Sequence, residues 1–340
     1  MSALTIVSLN TAQRDELFAP VRAIDGVELV HAEHRVSWEE ISARRVGRAL
    51  PEPEPIADDL RATLARADVV FGFVIPRDIL ALSPRVRWIA TPATGIDHLR
   101  GTGVLEGTVP VTTVGGLFGS LIAEHVFAVM LAFAKRLPHF ATQQRTRTWQ
   151  MSRVAALEGR TVGLVGVGAI GSAVAVRARA FGMRTLGLGR SDPRGRRVTG
   201  VDRLLARDEL AALLSESNWV VVAAADTPET RGMIGAAELA AMKPGAVLVN
   251  VARGSLIDEA ALVAALRAGR IGGAALDVFA SEPLPPESPL WELPNLLVTP
   301  HIATNVPEYL ARAIEQFATN VRRFLAGEPL LNQVDRRRGY

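Results

Sequence analysis

Three polar positions stand just past apolar, strand-like runs in the second half of the chain. Arg253 follows Val247-Leu-Val-Asn-Val-Ala, Asp277 closes Ala274-Ala-Leu with Glu282 in the loop behind it, and His301 follows Leu297-Val-Thr-Pro. Arginine offers a rigid fork that can grip a carboxylate and polarise the carbonyl beside it. Histidine is the natural donor of a proton to an oxygen that gains charge, and a glutamate next to it favours the imidazolium form. Taken singly these are ordinary: an Arg after a strand is often structural, and Glu-Pro is usually loop. In an open α/β sheet, however, ligands bind beyond the carboxyl ends of the strands. The three segments are therefore expected to converge on one crevice.

A second pattern narrows the chemistry. Val162-Gly-Leu-Val-Gly166-Val-Gly168-Ala169-Ile170-Gly171 is an apolar run ending in GxGxxG, with a helix-like segment, 173–181, behind it. The first glycine allows a tight turn, the second lets the backbone approach a pyrophosphate, and the third packs helix on strand. The helix N-terminus then presents unpaired N–H groups and a positive dipole end to phosphate. A dinucleotide cradle together with Arg, Glu and His suits hydride transfer on a 2-oxo acid.

The elements that must hold these groups alternate along the chain. Strands are expected at 4–9, 69–74, 86–91, 109–113, 162–167, 184–189, 219–224, 247–251, 274–278 and 296–299. Helical patterns lie between them at 56–67, 121–134, 204–214, 236–242, 258–268 and 306–325. Such alternation predicts α/β architecture, with two Rossmann-like, doubly wound parallel sheets. Because about 160 residues precede the glycine motif, the substrate domain is expected to be discontinuous, 1–97 with 302–340. The dinucleotide domain is expected at 98–301, with a cleft between the two. Pro51-Glu-Pro-Glu-Pro55 reads as a short stiff connection.

Several long stretches, in order, resemble the D-isomer-specific 2-hydroxyacid dehydrogenase family, especially its glyoxylate/hydroxypyruvate reductases. They include IATPATGIDHL from Ile89, LEGRTVGLVGVGAIG, MKPGAVLVNVARGSLIDEAAL, AALDVFASEPLP and SPLWELPNLLVTPHIA. Residues before 89 match mainly in pattern. The resemblance implies that Arg253 binds substrate carboxylate and carbonyl, that Glu282 partners the histidine, and that His301 is the acid/base. It makes Ala93, Thr94 and Gly95 the substrate loop, whose N–H groups hold the carboxylate. Gly166, Gly168, Ala169, Ile170 and Gly171 match the pyrophosphate loop. Asp277 falls near the nicotinamide carboxamide, where Arg253 and His301 also meet the cofactor. Ala224, Thr227, Val251 and Ala252 flank the riboses. A homodimer is implied, with the helix 121–134 and its flanks at the interface. Two positions depart from the family pattern: Pro92 in the substrate loop, and Asp226, which is expected to line a turn.

An NAD-preferring cradle ends its second strand in Asp or Glu, to hold the ribose 2′-hydroxyl. Here Arg184-Thr-Leu-Gly-Leu-Gly189 is followed by Arg190 and Ser191, so NADP(H) is favoured over NAD(H). Arg194 is a possible second cation, and Asp192 is the competing ribose ligand.

Composition bounds the rest. The 340 residues carry a net charge of +3, and all but two of the 38 basic residues are arginine. Their spread, without a reading motif, argues against a nucleic-acid partner. No apolar run reaches the length of a membrane span, and the N-terminus lacks a basic region before its first apolar run. With no cysteine, disulfides and thiolate chemistry are excluded, and a reducing, cytoplasmic setting is expected. His31 and His34 are three apart, but no third ligand is near, so no metal is expected. His98, His125, Trp149 and Trp291 are expected to pack or cap. Formate oxidation is not expected, since Glu282 stands where that branch uses glutamine. A phosphoglycerate enzyme with a regulatory tail is disfavoured by the short stretch after Leu325. The rival reading is a nicotinamide-sensing, corepressor-like binding protein of the same fold.

Overall fold

Valine- and leucine-rich runs that alternate with helices build parallel sheets covered on both faces, because such strands have no polar face to give to water. The computed structural model describes residues 3–190 and 197–339. The chain forms two compact units: Met1–Leu117 with Asn305–Tyr340, and Phe118–Thr304.

The first unit holds a five-stranded parallel sheet made of β1 (Leu4–Leu9), β2 (Val27–Ala32), β3 (Val69–Phe71), β4 (Trp88–Ala90) and β5 (Val111–Thr112). Its order is β2-β1-β3-β4-β5. One face is covered by the C-terminal helix Tyr309–Leu325, whose Ile314, Phe317, Ala318 and Val321 pack against Phe71 and Trp88. The opposite face buries Val7, Val70 and Ile89 against Leu60 and Leu64 of the helix Asp58–Leu64. The tail then returns to the sheet edge, where the Val334 N–H donates to the Val111 carbonyl at 2.8 Å. A boundary at 97 is therefore too early. Ile89 pairs with Val111 and Ala90 with Thr112, so these residues belong to the first sheet. The return crossing falls at 305 and not at 302.

The second unit holds seven parallel strands: β6 (Thr161–Val165), β7 (Arg184–Leu188), β8 (Arg203–Leu205), β9 (Trp219–Val222), β10 (Val247–Asn250), β11 (Gly273–Leu276) and β12 (Leu296–Val298). Their order is β12-β11-β10-β9-β6-β7-β8. The chain winds outward from β6 to β8, then returns to the other side of β6 with β9. The gap between β6 and β9 is thus the topological switch point, where an open α/β sheet binds ligands. The helices Gly119–Ala134 and Ala169–Ala180 share one face, through Val126, Met130, Val174 and Ala178.

Elements outside the pattern-based expectation include β2, the strand 203–205 and the helices Trp38–Val46 and Leu137–Arg145. β2 escapes notice because Glu28 and His31 fall on opposite faces of the strand and break both its alternation and its apolar run, and its pairing with β1 supplies what the sequence lacks. The run 204–214 is not one helix. Residues 203–205 pair with β7, Glu209 then accepts the Ala206 N–H at 2.8 Å, and the α-helix is Leu210–Glu216. The leucines fit a helical period, but the sheet edge claims the first of them. Among the described residues, no helix is long and apolar enough to cross a membrane.

Candidate active site

The glycine loop sits at the switch point, and each glycine has a separate steric reason. Gly166 follows β6 with φ +102°, and a Cβ there would lie 2.8 Å from the Ala223 carbonyl and the Ala224 Cα. It both turns the chain and admits the loop after β9. A Cβ on Gly171 would lie 2.0 Å from the Gly166 carbonyl oxygen, so only glycine lets the helix Ala169–Ala180 start this close to the loop. Gly168 is the converse: a Cβ there would meet nothing within 4 Å. Packing does not require that glycine, whereas a ligand backbone or phosphate approaching the helix end would. The cradle therefore fits a dinucleotide, which Gly166, Gly168, Ala169, Ile170 and Gly171 would hold. Ala224 and Thr227 follow β9 alongside. Thr227 is buried, its N–H bonded to the Thr230 hydroxyl at 2.9 Å. Asp226 lines this turn, paired with Arg231 at 2.9 Å.

The next three strand ends carry the polar groups. Asn250 pairs with Leu276 and, one strand further on, Leu276 pairs with Val298, so the residues after β10, β11 and β12 emerge side by side. Val251 and Ala252 are buried, and the buried Asn250 side chain clamps the exit by bonding the Ala252 N–H and the Arg253 carbonyl. Arg253 Nη1 donates to the Ala252 carbonyl at 2.7 Å. Gly254 then meets the turn after β11 backbone to backbone: a Cβ would lie 1.9 Å from the Phe279 carbonyl carbon. From that turn Glu282 reaches His301, with Oε2 2.8 Å from Nδ1, while its Oε1 accepts the Phe279 N–H at 3.1 Å. Both side chains are partly exposed, His301 at 31% and Glu282 at 17%.

Asp277 is buried and holds the loop that presents His301. Its Oδ1 accepts the Thr299 hydroxyl at 2.6 Å and the Ile302 N–H at 2.9 Å, and its Oδ2 accepts the Ala303 N–H at 3.0 Å. These bonds restrain His301 in the left-handed region, φ +55°, where a histidine is uncommon. His125, from the helix Gly119–Ala134, stands behind the same loop with Nε2 3.3 Å from the Thr299 hydroxyl. Neither this placement of His125 nor the anchoring by Asp277 has a sequence signal, since each depends on partners more than 20 residues away. Gly254 had one, as the glycine directly after Arg253.

Other expected positions lie elsewhere. Arg190 stands two residues past the end of β7 and is exposed, while Ser191, Asp192 and Arg194 lie outside the described residues. The Thr227 hydroxyl holds the Glu229 carboxyl below its usual range, and the charges of Arg190 and Arg207 add to this. Ala93, Thr94 and Gly95 belong to the first unit. There the Ala93 N–H bonds the Thr91 hydroxyl at 3.3 Å, and Tyr309 Oη donates to the Pro92 carbonyl at 2.6 Å. His98 is buried, stacked on Phe73 and 2.9 Å from the Thr91 hydroxyl. His31 bonds Thr11 and Asp15. Trp291 closes its own turn through the Pro285 carbonyl. Trp149 is not packed at all, at 97% exposed.

A doubly wound parallel sheet with GxGxxG at its switch point defines the class of dinucleotide-binding α/β proteins. Comparison with known proteins narrows this. The family model for the D-isomer specific 2-hydroxyacid dehydrogenase NAD binding domain matches residues 127–303. A glyoxylate reductase of Aeropyrum pernix is 36% identical over 299 residues, 84% of this chain and 88% of that protein. A D-3-phosphoglycerate dehydrogenase of Mycobacterium tuberculosis is 36% identical over 284 residues, 81% of this chain. The chain spans about half the length of that relative, 52%. A D-isomer specific 2-hydroxyacid dehydrogenase of Xanthobacter autotrophicus Py2, solved in complex with NADPH and MES, aligns over 100% of both chains with TM-score 0.80 and 31% identity. The chain belongs to the D-isomer specific 2-hydroxyacid dehydrogenase family.

Proposed function

We propose that the protein transfers hydride between a nicotinamide cofactor and C2 of a 2-oxo acid or D-2-hydroxy acid. The observation that carries this reading is the His301–Glu282 contact of 2.8 Å, at strand ends shared with Arg253 and with the glycine cradle. The bound nicotinamide supplies or accepts the hydride. Glu282 accepts the Nδ1–H of His301, which leaves Nε2 to carry the mobile proton. As C2 is reduced, the carbonyl oxygen gains charge and takes the proton from Nε2; in the reverse direction the imidazole removes it. Arg253 grips the carboxylate and polarises the carbonyl, stabilising the charge that develops there. The substrate-loop role of Ala93, Thr94 and Gly95 belongs to the same proposal.

NADP(H) is the favoured cofactor. Arg190 leaves β7 beside the cradle, the place from which a guanidinium can pair with a 2′-phosphate. The test follows loss of NADPH or NADH absorbance with glyoxylate, hydroxypyruvate and larger 2-oxo acids. Oxidation with a short 2-oxo acid is expected. Cofactor binding without turnover on any of them would favour the binding-protein reading. In the same assay, Arg190→Asp is expected to move the NADPH/NADH ratio of kcat/KM toward NADH by about 10- to 100-fold, the worth of one charge-assisted contact. Equal efficiencies in the unmodified protein would remove its basis.

The homodimer is part of the proposal, with the helix Gly119–Ala134 and its flanks as the expected surface. The helix Gly119–Ala134 spends much of its apolar face on its own unit's core. Beyond it, after the helix Leu137–Arg145, the chain exposes Trp149 at 97% and Met151 at 90%. Bare side chains of this kind are enriched where a protein contact covers them, so they are the positions to test. Trp149→Asp with Met151→Asp is expected to shift the sedimentation coefficient from dimer to monomer; an unchanged coefficient removes this surface.

A further inference from the structure

The turn 279–282 is gripped by two carboxylates at consecutive residues. Glu282 takes the Phe279 N–H, and the next N–H, that of Ala280, donates to Glu259 Oε1 at 2.6 Å. Glu259 is the first residue of the helix Glu259–Arg267, whose cap Asp258 accepts the Ala261 N–H at 3.0 Å. We propose that Glu259 is a positioning residue, holding the turn from which Glu282 reaches His301. The inference rests on the acid/base reading of that pair.

The geometry separates this role from plain stabilisation. Ala280 is exposed, so water can take its N–H when the carboxylate is gone, and little folding free energy is at stake. What is lost is direction. Gly254 limits how closely the turn can approach β10, yet it has no side chain with which to orient it. Glu259 is the side chain that ties the turn to a helix. Burial pushes its carboxyl above the ordinary range, the Ala280 N–H draws it back, and the charge of Glu282 adds to the rise, so the two carboxylates sense each other. Glu282 is itself bonded to His301, and Asp277 and His125 stand behind the loop that carries that imidazole.

The test compares Glu259→Ala, Glu259→Gln and His301→Ala in steady-state kinetics, NADPH binding and thermal unfolding. Glu259→Ala is expected to lower kcat about 10-fold through misplacement, with NADPH affinity unchanged. Glu259→Gln keeps an acceptor for Ala280 and is expected to restore most of that rate. Wild-type kcat in Glu259→Ala would overturn the proposal. So would equal inactivity of both variants with collapsed thermal stability, the mark of a structural role. Turnover persisting in His301→Ala sinks the acid/base reading itself, whereas an inactive His301→Ala beside a fully active Glu259→Ala sinks only the role of Glu259.

Discussion

Replacing His301 with alanine is expected to lower kcat by about 10³-fold while leaving the Kd for NADPH within about twofold. General acid–base transfer contributes on the order of 10²- to 10⁴-fold, and on the proposed reading His301 supplies the proton. The cofactor cradle stands on β6 and its following helix, four strands from β12, so its glycines do not depend on the imidazole. The backbone needs its own control, since His301 sits at φ +55° and alanine there carries strain. Asparagine tolerates that conformation better. His301→Asn should therefore keep the loop and still lose turnover. Single-turnover reduction with NADPH, beside fluorescence titration of the cofactor, measures both quantities. Turnover retained at pH 7 in both variants would mean that another group delivers the proton.

Gly254→Ala is expected to cost about 3 kcal/mol of stability and about 10²-fold in kcat/KM together. The added methyl would lie 1.9 Å from the Phe279 carbonyl carbon, 2.2 Å from its oxygen and 2.3 Å from the Ala280 nitrogen. All three are backbone atoms, so no side chain can swing aside. The ends of β10 and β11 must separate, and that displaces Arg253 on one side and the Glu282 turn on the other. A fall of several degrees in the unfolding midpoint should accompany the kinetic loss. The kinetic loss should fall on 2-oxo acid turnover more than on cofactor binding, because the cradle lies at β6. A variant with wild-type midpoint and wild-type kcat/KM would show that this contact does not set the geometry.

Much of the architecture could be read from local pattern. The strand at 4–9 and the helices near 121–134 and 258–268 follow from β-branched runs and helical periodicity, which act over a few residues. The glycine cradle was equally legible, since its three glycines stand at a fixed spacing within one contiguous segment, although the close approach that Gly166 permits, to Ala223 and Ala224, is set by the fold. The misreadings arose where partners are remote. β2 owes its state to β1, residues 203–205 owe theirs to β7, and the boundary at 117 follows from β5 pairing with β4.

The chain's order of residues by itself determined which chemical groups are on hand: a guanidinium, two carboxylates and an imidazole, each placed just past a strand-forming run. Only the tertiary structure decided which atoms meet. It put Glu282 Oε2 on Nδ1 of His301, gave Asp277 to the loop 299–303, pressed Gly254 onto Phe279, and set Glu259 beneath Ala280. The reason is physical. Periodicity and propensity act within a turn or two of chain, whereas these contacts close loops of roughly 20 residues or more, and packing between neighbouring strands selects their geometry.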